Sequence, residues 1–346
     1  MAMPEITVRG AGIFGLSIAW ILTQRGARVQ VVDPFGAGSG SSGGLVGALA
    51  PHVPENWNDK KAFQLESLLM AESFWADVQA VGGVDPGYAR TGRLQPIADD
   101  HALALAQARC DGARDLWQGR AVWEVIPAAE AGAFAPLSPS GFLIRDTLTA
   151  RMHPRQACAA LVAALRVRGV EVVRDAADHG AVIWATGWRG LLDLSEEIGK
   201  PVGAGIKGQS AALAFDAAPV PQVFVDGLHI IPHANGTVAI GSTSEREFDT
   251  PDALDCQCDT LVARAVAAMP ILADAPVVDR WAGVRPRARS RAPMLGEWPG
   301  RTGHFIANGG FKIGFGMAPK VAEVMADLVL DGQDVIPEGF RVEASL

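Results

Sequence analysis

The segment Gly10-Ala11-Gly12-Ile13-Phe14-Gly15 constrains this chain more than any other. It follows an apolar strand, Ile6-Thr7-Val8, and leads into a helix with Phe14, Ile18, Ile21 and Leu22 on one face. Gly26 ends that helix, Val29-Gln30-Val31-Val32 reads as a second strand, and Asp33 closes it. Each part has a mechanical role. Gly10 permits the tight turn, Gly12 lets the backbone approach a pyrophosphate, and Gly15 lets the helix pack on the strand. The helix N-terminus offers N–H groups to phosphates, and Asp33 can accept hydrogen bonds from a ribose. A glycine triplet alone is a weak signal. Strand, turn, helix, strand and acid in this order predict a dinucleotide-binding domain.

The 346 residues suffice for two domains with sizeable cores. Hydrophobic residues form 49% of the chain and charged residues 20%, so an ordered globular protein is expected. The formal net charge of −8 argues against a nucleic-acid-binding face. Cys110, Cys158, Cys256 and Cys258 form no paired framework, which suits a reducing, cytoplasmic setting. Cys256-Gln257-Cys258 lacks further ligands at metal spacing, so no metal is expected. A strand expected from residue 5 leaves no room for a signal peptide, and no apolar run reaches membrane-spanning length.

The stretch after Asp33 separates one dinucleotide from another. A nicotinamide-binding domain usually continues with alternating helices and strands. Here Pro34 to Gly44 forms a long loop of small residues, rich in N–H and hydroxyl groups, that runs into apolar Leu45, Val46, Ala48 and Leu49. Such a loop can wrap a large cofactor closely. Helices are expected near 60–81 and 99–116, a strand at Thr91–Ile97, and a surface crossing over 127–141. The nucleotide-type pattern returns with a helix from Pro154, strands Val170–Val173 and Ala181–Ala185, and Thr186-Gly187. A nucleotide domain interrupted in this way is typical of flavoproteins. Ile206–Phe215 reads as a strand, His229–Pro232 and Thr237–Ile240 as a hairpin around Asn235-Gly236. A second glycine-rich turn, Asn308 to Gly316, leads into the last helix.

These residues together resemble the D-amino-acid oxidase superfamily of flavoproteins, and its glycine-oxidase-like branch most closely. The resemblance rests on the N-terminal fingerprint, Ser41-Ser42, Ile183–Gly187, Ile206–Gln209, His229–Pro232, Gly241-Ser242-Thr243, Trp281–Pro286, Pro293–Gly296 and Gly309–Pro319, all in the family's order. It implies an α/β fold (α+β overall): a Rossmann-like FAD-binding domain interrupted by a mixed β-sheet substrate domain. The expected division gives 1–50, 141–200 and 296–346 to the FAD-binding domain, and 51–140 and 201–295 to the substrate domain. Non-covalent FAD is the implied cofactor. Its implied contacts are Gly10, Gly12, Ile13, Phe14, Gly15, Asp33, Ser41, Ser42, Gly44, Thr186 and Gly187, then Gly309, Gly310, Phe311, Lys312, Ile313 and Gly314. The segment between Val173 and Ala181 is shorter than in typical relatives, so no adenine contact is assigned.

The implied reaction is oxidation of a small amino acid or secondary amine to an imine, with hydride passing to flavin N5 and oxygen or another acceptor re-oxidising it. Orientation and electrostatics are then the protein's main contributions. Arg285 stands where the family holds the substrate carboxylate, and a guanidinium can bind both oxygens at once. Arg287, Arg289 and Arg291 follow at alternate positions. One strand through all four would put them on one face, either a solvated edge or a site for a second anionic group. His229 replaces a tyrosine that helps bind the carboxylate in relatives. It either donates a hydrogen bond, gains charge near neutral pH, or is a packed or exposed strand residue. Lys312 stands where an arginine is common, and either stabilises the reduced ring or only packs its stem. His52 either approaches the ring or caps a turn. Ser244 replaces a larger apolar residue, which suggests a roomier pocket.

Two other functions fit parts of the pattern. Ser39-Gly40 and Ile206–Gln209 also resemble flavin domains acting on a carboxymethylaminomethyl-type modified tRNA base, but the chain is acidic and has no methyltransferase domain. A non-catalytic flavin subunit of an amine dehydrogenase complex has no need of Arg285. The sequence does not specify the oligomeric state.

Overall fold

Two large sheets divide the chain, as seen in a computed structural model that describes residues 5–346. The first has the spatial order Met294–Glu297, His304–Asn308, Ala181–Trp184, Ile6–Arg9, Val29–Val32, Val172–Val173. Ile6–Arg9 lies between Val29–Val32 and Ala181–Trp184, parallel to both. Only the Met294–Glu297 edge is antiparallel. Parallel strands need crossover helices, and these cover the sheet. Helix Ile13–Gln24 buries Leu16, Ile18 and Leu22 and packs along helix Gly314–Asp331. Helices Asp59–Gly82 and Pro154–Val167 complete this core. Asn58 caps the first of them, its Oδ1 accepting from Lys61 N at 3.1 Å, and Gly83 ends it at φ +68°.

The second sheet has the order Val277–Ala288, Gly203–Ala214, Thr237–Gly241, Leu228–Pro232, Gln222–Val225, Arg93–Pro96, Phe142–Asp146, Trp123–Pro127. Period-two alternation gives its strands two unlike faces. Leu94, Leu213, Val223, Ile230, Val238 and Ile240 face helix Cys256–Ala268 and form a separate core. Ala212, Ile231 and Ala239 face the other way and meet Leu45 and Val46, the end of the glycine/serine loop. The second face of this sheet therefore looks toward the nucleotide-type domain.

The expected hairpin is present, with His229 opposite Gly241. Three expectations change. Phe142–Asp146 pairs with Arg93–Pro96 in the second sheet, so the strands do not change sheets at residue 141. An ion pair between Arg93 and Asp146 at 2.8 Å fixes that register. Helix Asp59–Gly82 packs on the first sheet's helices, not on the second sheet, because Phe63, Leu68, Phe74 and Trp75 bury into that core. The arginine strand ends at Ala288, so Arg289 and Arg291 leave the face that Arg285 and Arg287 share. Among the described residues no helix is long and apolar enough to cross a membrane.

Candidate active site

The first glycine turn is closed by contacts that no side chain could share. Gly10 has φ +103°, and a Cβ there would lie 2.3 Å from the carbonyl oxygen of Ala185. A Cβ on Gly15 would lie 1.9 Å from the carbonyl oxygen of Gly10. Among the described residues a Cβ at Gly12 would meet Ser42 Oγ at 3.2 Å, and Gly12, at the N-cap, offers no side chain to the helix start. That is a cradle for an anion, with the helix dipole behind it. Ser42, buried, accepts from Ile13 N at 2.9 Å. Asp33 accepts from two backbone donors, Ala11 N at 2.8 Å and Phe35 N at 2.9 Å, which hold its carboxylate against the turn. Ser41 opens the short 3-10 turn Ser41–Gly43, and Gly44 packs on the Trp281 ring.

The second glycine turn meets the first. A Cβ on Gly310 would lie 2.9 Å from Phe14 Cζ, and one on Gly314 would lie 3.6 Å from Ile13 Cγ2. Asn308 ties Thr186-Gly187 into the same cluster: its Nδ2 donates to the Gly187 carbonyl at 2.8 Å, and its Oδ1 accepts from Gly309 N at 2.8 Å. Gly10, Gly12, Ile13, Phe14, Gly15, Asp33, Ser42, Thr186, Gly187 and Gly309 to Gly314 are thus brought together. Two glycine turns, each leading into a helix start and packed side by side, suit an extended dinucleotide.

Phe311 carries the next link. It has φ +44°, and its N–H donates to Pro286 O at 2.9 Å. Three cations surround its ring: Arg285 Cζ at 5.6 Å from the centroid, Arg287 Cζ at 5.8 Å and Lys312 Nζ at 5.9 Å. Arg285 is 9% exposed. It donates from Nη1 to Ser242 Oγ at 2.6 Å, and from Nη2 to Thr243 O at 2.6 Å and Lys207 O at 3.2 Å. Its Nε has no partner. Burial pushes its pKa down to about 10 despite the pull of Glu245. Glu245 itself pairs with Lys207 at 3.4 Å, on the opposite face of the strand. Gly208 makes room for the guanidinium, since a Cβ there would lie 2.1 Å from Nη2. Lys312 is exposed as a residue, yet partial burial of its ammonium and then Arg285 hold its pKa below the ordinary lysine value.

His229 lies on the same sheet face, its ring 4.6 Å from that of Phe224, and its buried Nδ1 has no partner. Burial first, then Arg93 and Lys312, pushes its pKa down to about 3. Burial therefore favours a neutral imidazole, in line with the hydrogen-bonding or packed alternatives rather than a charge gained near neutral pH. His52 is engaged elsewhere. Its backbone N–H donates to Gln64 Oε1 at 2.8 Å and its Nδ1 contacts the same oxygen, which fits the turn-holding alternative. Burial, outweighing the Gln64 bond, lowers its pKa, and its charged neighbours are Lys60 and Lys61. No contact joins it to Arg285, His229 or Lys312. Ser244 is exposed. Arg289 is exposed and donates to Leu346 O at 3.0 Å, while Arg291 is exposed at a positive φ. Cys256 and Cys258 sit on a helix, and among the described residues no group of His, Cys, Asp and Glu could hold a metal.

Sequence reasoning missed Ser242 and Thr243 as holders of Arg285, Asn308 as a bridge, and the Arg93–Asp146 pair near His229. These contacts join residues far apart in the chain, and no spacing rule signals them.

The fold and site define a class: a dinucleotide-binding domain whose chain leaves to build a second sheet and returns to close the site. The chain matches the family model DAO, FAD dependent oxidoreductase, over residues 5–328, and it belongs to that family. It is an enzyme, and FAD is its cofactor. The chain is 29% identical to the glycine oxidase of Pseudomonas putida over 99% of both chains. It is 28% identical to that of Pseudomonas aeruginosa over 96% of both. The crystal structure of glycine oxidase from Geobacillus kaustophilus shares the fold, with a TM-score of 0.85 over 98% of both chains at 21% identity. Iminodiacetate oxidase from Chelativorans sp. BNC1 matches with a TM-score of 0.84 at 21% identity, over 97% of this chain and 98% of that one.

Proposed function

We propose that this enzyme oxidises a small amino acid or secondary amine to the imine, which water then hydrolyses. The observation that carries the reading is Arg285: a buried guanidinium that forms no ion pair with a carboxylate among the described residues, beside the second glycine turn. A cation kept out of water without a counter-ion is matched by an anionic ligand, and a carboxylate fits its planar donors. The names of the relatives, glycine oxidases among them, support an amino acid substrate.

When bound, FAD would supply the two-electron acceptor for this oxidation. The residues divide the remaining work. Arg285 binds and orients the substrate carboxylate. His229, neutral, offers a hydrogen-bonding edge without adding charge. Lys312 stabilises negative charge that develops on the cofactor. Gly10, Gly12, Ile13, Phe14, Gly15, Asp33, Ser41, Ser42, Gly44, Thr186, Gly187 and Gly309 to Gly314 would hold the cofactor. The first sheet then serves the cofactor and the second the substrate. Oxygen or another acceptor completes the cycle, and the free cysteines suit a reducing, cytoplasmic setting.

The test is anaerobic bleaching of the yellow protein by glycine, sarcosine, D-amino acids and cyclic imino acids. Bleaching by at least one is expected, and no response to any of them would sink the reading. Mixing the bleached protein with oxygenated buffer then separates an oxidase, which recovers its colour rapidly, from a dehydrogenase.

A further inference from the structure

Three cations surround Phe311, and the proposed reaction employs two of them. Arg285 meets the substrate's carboxylate and Lys312 the cofactor. Arg287 remains. It follows Arg285 by two residues on the strand Val277–Ala288, so both side chains leave the same face. Both guanidinium groups approach the same ring, at 5.6 Å and 5.8 Å from its centroid. Arg287 is half-buried, and among the described residues it has neither a hydrogen bond nor a carboxylate partner. Glu245, the acid that acts on the neighbouring Arg285, is engaged with Lys207 at 3.4 Å. Arg289 and Arg291 do not join the cluster, because the strand ends before them.

Like charges gathered in a partly dry site raise its free energy unless anions balance them. A substrate with one carboxylate brings one negative charge, and the reduced cofactor brings another. The third cation is left over.

We infer that the preferred substrate carries two carboxylates, one bound by Arg285 and the second by Arg287. Arg285 is the deeper of the two and Arg287 the more exposed, so the second carboxylate lies toward solvent. The substrate class is an amino or secondary-amino dicarboxylic acid. The inference rests on the amine oxidation proposed above and adds a determinant of specificity to it.

Steady-state kinetics on the holoenzyme test it with matched pairs: sarcosine against N-(carboxymethyl)glycine, and alanine against aspartate in both enantiomers. The dicarboxylate of at least one pair is expected to show a kcat/KM higher by about tenfold or more, the size of one charge-assisted hydrogen bond. The gain resides in KM and shrinks as salt is added. Arg287→Ala is expected to erase the difference within the pair, and Arg287→Lys to restore part of it. Arg287→Gln repeats the measurement with a longer, uncharged side chain in place, should the alanine variant fold poorly. Equal kcat/KM within every pair overturns the inference, and so does a dicarboxylate advantage that survives both Arg287→Ala and Arg287→Gln. Those results leave amine oxidation standing if monocarboxylates bleach the flavin. Failure of every amine to bleach it removes both.

Discussion

The backbone N–H of Phe311 donates to the carbonyl of Pro286 at 2.9 Å, fastening the C-terminal glycine turn to the arginine strand. Pro286 separates Arg285 from Arg287, so this one bond sets both guanidinium groups against the Phe311 ring. The turn that approaches Ile13 and Phe14 is thereby joined to the sheet that carries the substrate cation.

Replacing Arg285 by Met is expected to keep the fold and the bound flavin, since it removes a buried charge that has no ion-pair partner. Substrate binding should suffer. A loss in kcat/KM of about ten- to a hundredfold, the range of a charge-assisted hydrogen bond, is expected in steady-state assays. Unchanged kinetics would remove Arg285 from the site.

Gly208→Ala probes the same cation without touching it. Its new Cβ would meet Arg285 Nη2 at 2.1 Å, and the flexible guanidinium must move. The expected outcome is a near-wild-type melting temperature with kcat/KM reduced by up to about a hundredfold, as for other small misplacements of a binding group. A stability loss with unaltered kinetics would contradict it.

Gly15→Ala acts at the cofactor end. The new Cβ would lie 1.9 Å from a backbone oxygen that cannot step aside. Overpacking of this kind costs about 1–3 kcal/mol or more, and the purified variant should lose flavin absorbance. Gly12→Ala, which meets only Ser42 Oγ at 3.2 Å, should melt closer to wild type.

Asp146→Asn leaves Arg93 buried without its carboxylate. Breaking a buried pair by removing one partner costs about 3–5 kcal/mol. Denaturant unfolding should report a loss of that order. A loss near zero would mean that the Arg93 charge is balanced by another group.

Acid should destabilise the protein through His229 and His233. Burial comes first for both, and the folded-state pKa values fall from 6.5 to about 3 and about 4. Between those values and 6.5 the unfolded chain binds more protons than the folded one. Stability is therefore full above pH 6.5 and falls as the pH drops toward 4, by about 1.4 kcal/mol per pH unit for each histidine. Urea midpoints measured from pH 7 to pH 4 should show this slope, and His229→Gln should flatten it. An identical slope in the variant would place the titration elsewhere.

Part of this protein is legible in its sequence because its determinants are local. A glycine that must reach positive φ, an apolar period of 3.6 or 2, and an acid at a strand end act within a few residues. The first glycine turn, the Asp33 terminus, the hairpin at Asn235-Gly236 and the second glycine turn all come from such rules. So did the family, through motifs that occur in order along the chain. Only the tertiary structure decided which sheet Phe142–Asp146 joins, what Asp59–Gly82 packs against, that His229 is a neutral ring, and that Arg287 but not Arg289 faces Phe311. Each of these depends on burial and on partners distant in sequence: Asp146 on Arg93, His229 on Lys312, Arg285 on Ser242 and Thr243. Desolvation and charge pairing are properties of neighbours in space, and the linear order of residues does not contain them.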